Sequence, residues 1–91
     1  MLTDDELSLV LLEEALYRIN EINENTCTEK IMALAELIEM GIEKYQDVDM
    51  PLYEESKLLM TMENDTREEI MSLVCKIRIG IMNLHEQIFN E

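Results

Sequence analysis

The chain has 91 residues, 47% hydrophobic but only 4% aromatic, with two Gly and one Pro, and sets 21 acids against seven Lys and Arg for a net charge of −14. A chain of this length makes one domain, residues 1–91, with a modest core and no room for a second domain or a deep catalytic cleft. Plentiful Ile, Leu and Met with few turn formers point to an all-α fold, and the strong negative charge excludes direct binding to the phosphates of a nucleic acid.

The first helix is expected at about 3–24. Thr3 and Glu6 stand at capping-box spacing, Leu2 and Leu7 at that of a hydrophobic staple, and Asp4, Asp5 and Glu6 suit the positive end of the helix dipole. Its inward seam reads Leu9, Leu12, Leu16 and Ile19, broadened by Val10, Leu11, Ala15 and Ile22, with Glu13, Glu14, Glu21 and Glu24 outside. Asn23-Glu24-Asn25 ends it, because Asn side chains compete for backbone hydrogen bonds.

A second helix, about 27–46, opens at Thr26-x-x-Glu29 or Thr28. Ile31, Ala35, Ile38, Ile42 and Tyr45 step by four and three along one face, and Gly41 marks a close approach to another helix. Glu29, Glu36 and Glu43 form an outer ridge at seven-residue intervals, with Glu39 beside it and only Lys30 and Lys44 diluting it.

Asp47-Val48-Asp49-Met50-Pro51 breaks the chain, and Pro51 suits the first turn of a third helix at about 51–62. Its stripe of Leu52, Leu59, Met60 and Met62 is weak, and Met50, Met60 and Met62 offer an adaptable patch for a protein partner. Asn64-Asp65 reads as a joint, and Thr66-x-x-Glu69 as the start of a fourth helix at about 66–90. The alternative is one continuous helix from about Pro51 to Phe89; the break is favoured because the last seam, extended backward, meets Arg67 and Glu63.

In the last helix Ile70, Val74, Ile77, Ile81, Leu84 and Ile88 follow one another at four, three, four, three and four, a core or dimer seam. A second track, Met71, Cys75, Met82 and Phe89, runs beside it with Arg78 and His85 in its gaps, and Gly80 suggests a close crossing with Gly41. Residues 1–25 hold seven acids and one base (net −6), 26–49 six and two (−4), 50–69 six and two (−4), and 70–91 two and two (0). The neutral last segment is therefore expected at the centre of a small antiparallel bundle of three to four helices.

Chemistry-bearing motifs are sparse. One His cannot supply two Glu-x-x-His pairs for a di-iron site, Cys27 and Cys75 lack zinc spacing, and no phosphate-binding Gly loop or H-E-x-x-H occurs. Both thiols are expected reduced, Cys75 as a small core residue and His85 in a structural role. Asp47 and Asp49 with Glu43 lack the alternating ligand pattern of a calcium loop. No catalytic residue, metal or cofactor is assigned. An acidic N-terminus unlike a signal peptide and the lack of a long charge-free apolar run give an expected soluble, cytoplasmic protein without a membrane role. The resulting expectation is a non-enzymatic protein that binds and regulates or inhibits a partner with a basic surface. Such a partner is a nucleic-acid-handling protein, met by an acidic face of Glu14, Glu21, Glu29, Glu36, Glu39 and Glu43 that mimics nucleic acid, as in the inhibitors phages deploy. The alternative is an obligate homodimeric structural module, chaperone or adaptor joined through the seam of the last helix.

Overall fold

A computed structural model of the chain describes residues 1–45, 47–62 and 66–90. Among the described residues four helices follow one another: α1 Asp4–Ile19, α2 Thr28–Lys44, α3 Met50–Met60 and α4 Arg67–Phe89. The second break is therefore real, and α3 and α4 are separate helices. The expected joint at Asn64-Asp65 and the expected end of α2 at Gln46 fall outside the described residues.

Local chemistry sets most boundaries. Thr3 and Glu6 form the reciprocal capping box at the start of α1, although Leu2 of the supposed staple stays more than half exposed. α1 ends at Ile19, earlier than expected, because the chain tightens into turns: Asn25 N–H donates to Asn23 Oδ1 at 2.8 Å and Asn23 N–H to Thr26 Oγ1 at 2.9 Å. With its hydroxyl so engaged, Thr26 does not cap α2; Cys27 occupies that position and contributes no side-chain bond. Asp49 caps α3, accepting from Leu52 N–H at 3.1 Å, and Pro51 lies in the first turn. Thr66 caps α4 by accepting from Glu69 N–H.

The packing is antiparallel between neighbours. Gly41, late in α2, lies against Leu11 and Leu12 of α1, while Tyr53 at the start of α3 reaches Glu39 and Glu43 near the end of α2. Leu52 of α3 fits against Gly80 in the second half of α4, and Arg67 at the start of α4 donates to the Thr26 carbonyl in the α1–α2 connection at 2.7 Å. The helices thus form a ring in which α1 touches α2 and α4, and α3 touches the same two. α2 and α4 stand diagonally.

The last helix, expected as the hydrophobic centre of the bundle, is one of the four that line this ring. Four helices around one core each bury one side and leave one outside, so none is enclosed. α4 rises roughly 35 Å, nearly the full 39 Å length of the molecule, and buries Ile70, Leu73, Val74, Ile77, Ile81, Leu84 and Ile88. All six residues of the seam are therefore committed to the chain's own core. The second track is not: Met71 is half-buried, while Cys75, Met82 and Phe89 are exposed. Cys75 is thus a surface thiol, contrary to its expected core position, and like Cys27 it is free.

In α2 the predicted stripe is the buried one, Ile31, Ala35, Ile38, Ile42 and Tyr45, joined by Leu34. In α1 the phase differs from expectation. Ser8, Leu12, Ala15 and Ile19 are buried, Leu9 and Leu16 lie half-buried at the edge, and Val10 is exposed. Small residues explain the rotation: Ser8 and Ala15 let α1 settle closer to its neighbours than a leucine seam would. Ser8 Oγ donates to the Gly41 carbonyl at 2.6 Å, within the last turn of α2, where carbonyls run out of helical N–H partners. Gly41 and Gly80 do mark close approaches, but to Leu12 and Leu52 respectively and not to each other.

Among α3 residues Leu52, Ser56 and Leu59 are buried, with Ser56 Oγ bonded back to the Tyr53 carbonyl at 2.9 Å. Met62 is buried, Met60 half-buried and Met50 exposed, so these three do not form a methionine patch. Stripe periodicity brings only some of them to the surface. Among the described residues no helix is long and apolar enough to cross a membrane.

Candidate functional site

The six carboxylates singled out in the sequence do not share one environment. Glu14 is half-exposed and pairs with Arg18 one turn on, Nε to Oε1 at 2.9 Å. Glu21 follows the end of α1 and borders a groove of about 290 Å³ between α1 and α2, where Arg18 and Lys30 also stand. That end of the acidic face is electrically mixed.

On α2, Glu39 and Glu43 are engaged by α3. Lys57 Nζ lies 3.2 Å from Glu39 Oε1 and 4.9 Å above the centre of the Tyr53 ring. Tyr53 Oη stands 3.1 Å from Glu39 Oε1 and 2.9 Å from Glu43 Oε1. A phenol has one proton, so it donates to one carboxylate at a time, and Lys57 supplies the positive charge that lets both stay close. The hydrogen bond to Glu43 is the main reason the Tyr53 hydroxyl is held above its ordinary value of 10.0; the bond to Glu39 adds to the effect and Lys57 opposes it. Lys57 is likewise raised above 10.5, first by its interaction with Tyr53 and then by Glu39. Glu39 is thus a structural partner of α3, with its side chain 17% exposed, and Glu43 is shared between α3 and solvent. Neither Tyr53 nor Lys57 was singled out in the sequence, yet the signal existed: Tyr53 and Lys57 are four apart, as are Glu39 and Glu43.

Glu21, Glu29 and Glu36 remain exposed, their side chains with no hydrogen-bond or ion-pair partner among the described residues. Glu29 and Glu36 lie on one outward line of α2, two turns or roughly 10–11 Å apart. The helix beneath them is anchored by six buried residues, so these carboxylates sit on a rigid support. Diagonally across the bundle, the outer face of α4 has opposite character. Ile79, Met82 and Phe89 are 56%, 54% and 71% exposed, and His85 stacks on Phe89 with ring centres 6.5 Å apart.

Among the described residues no three His, Cys, Asp or Glu gather to hold a metal ion. Asp49 serves as the cap of α3. No protein-family model, curated protein or solved structure matches the chain.

Proposed function

We propose that this protein is a non-enzymatic binding module that acts in the cytoplasm by docking its acidic α2 face onto a basic protein surface and blocking or regulating that partner. The single observation that supports this reading is the pair Glu29 and Glu36, unpaired carboxylates on a rigid helix of a chain whose net charge is −14. Unpaired carboxylates remain available for charge-assisted bonds to Arg and Lys, whereas Glu39, already bound to Lys57, does not. The long-range field of the chain steers such a partner onto this face. A partner whose basic groove ordinarily holds nucleic acid fits this chemistry, and occupation of the groove would exclude the nucleic acid. Phage inhibitors of host nucleic-acid machinery remain the functional analogy, resting on size and charge.

Immobilised chain incubated with a lysate of its source cells provides the test, with wild type compared against the double variant Glu29→Lys/Glu36→Lys. Basic proteins retained by the wild type should elute as salt rises and should not be retained by the double variant. Retention indifferent to both salt and charge reversal would overturn the reading.

A further inference from the structure

The core seam of α4 is consumed inside the bundle, but its outer face has no neighbour among the described residues. Cys75, Ile79, Met82 and Phe89 stand exposed along it, flanked by Lys76 and Arg78, and the helix has no acid from Ile70 to His85. Residues 70–91 balance two acids with two bases, so the rest of the chain carries the whole of its −14 charge, with the unpaired Glu29 and Glu36 of α2 on the diagonally opposite side. We infer that the outer face of α4 is a self-association surface, on which a second copy of this chain packs α4 against α4 across a two-fold axis.

Charge selects that occupant. Two bodies of −14 repel through almost any other pair of faces, because carboxylates would meet carboxylates. Contact through α4 brings together two electrically neutral strips and leaves both α2 ridges at the far ends of the dimer. The pairing is antiparallel, since a parallel pair would set Glu68, Glu69 and Glu86 beside their own copies. A two-fold pairing is also self-complementary, so one apolar strip suffices for both sides. Phe89 and Met82 supply the large flexible and aromatic side chains that such contacts favour. This inference does not depend on the acidic-face reading, which concerns the opposite side of the molecule.

Light scattering and sedimentation across micromolar concentrations test it. The mass should climb from 10.7 kDa toward twice that value. Added salt should strengthen the association by screening the repulsion between the two acidic bodies, the opposite of its effect on docking to a basic partner. Ile79→Glu and Met82→Glu, at exposed positions, should each weaken the dimer by roughly tenfold or more with the far-ultraviolet circular dichroism of the monomer unchanged. Val10→Glu, on the exposed side of α1, should leave the mass unaltered. Alkylation of Cys75 should slow as concentration rises while that of Cys27 does not. A monomer at every concentration and salt, or a dimer indifferent to Ile79→Glu and Met82→Glu, would overturn the inference.

Discussion

α2 and α4 are alike on the inside and opposed on the outside. Each buries a stripe at four-and-three spacing, and each has one glycine against a neighbour's leucine, Gly41 at Leu12 and Gly80 at Leu52. Outward, α2 presents Glu29, Glu36 and Glu43, while α4 presents Cys75, Ile79, Met82 and Phe89. The core therefore does not dictate what a helix shows to solvent. The lesson is that burial fixes where a helix sits, and the remaining face is free to carry recognition, here with contrasting chemistry on two diagonal helices.

The likeness can be broken most forcefully in the core. Ile38→Ala and Ile77→Ala each remove a fully buried side chain and should each cost roughly 2–5 kcal/mol in urea unfolding. Clearly unequal losses would show that one helix dominates the core after all. The glycines sharpen the comparison at smaller scale. A Cβ at Gly41 would meet Leu12 Cδ2 at 3.0 Å, Leu12 Cγ at 3.2 Å and Leu11 Cβ at 3.3 Å, and the last can yield only if α1 moves. At Gly80 the closest atom, at 2.7 Å, is the tip of Leu52, with the next at 3.6 Å. Gly41→Ala should thus destabilise by about 1–2 kcal/mol after the gain in helix propensity. Gly80→Ala should fall within about 1 kcal/mol of wild type, since Leu52 can turn aside. A reversed order in thermal unfolding would mean that the α1–α2 contact yields more readily than the α3–α4 contact.

The smallest effect concerns the outside of α2. Tyr53 and Lys57 both have raised values, so the stability they add through Glu43 and Glu39 is present below their ordinary values of 10.0 and 10.5. It is lost as pH climbs through the raised values, where tyrosinate would face two carboxylates and Lys57 would lose its charge. Urea midpoints of wild type and Tyr53→Phe should therefore differ slightly near neutrality and converge in alkali. A difference that persists undiminished above these values would remove the hydroxyl as its cause.

Much of this arrangement is legible from the residues. The α2 stripe reads cleanly because glutamates flank it, and the break before α4 because Thr66 caps a new helix. α1 does not read cleanly, since leucines at 7, 9, 11, 12 and 16 surround most of the helix and apolarity alone cannot choose its rotation. The two tracks of α4 share their spacing, but Arg78 and His85 interrupt the second, and it is the second that stays outside. How much of that second track is covered depends on the number of neighbouring helices, which no local pattern records. The unpaired state of Glu29 and Glu36, against the engagement of Glu39, likewise arises only when α3 brings Tyr53 and Lys57 across.

Apolar helices pack through contacts that tolerate sliding, and α1 has leucines enough to be nearly indifferent to small shifts along its axis. The buried Ser8 hydroxyl is not indifferent, because its bond to the Gly41 carbonyl exists at only one height and one rotation. An alternative alignment would strand a buried hydroxyl and a terminal carbonyl without water. This one side chain thereby acts as an alignment pin, selecting a single docking of α1 on α2 from several of similar greasiness.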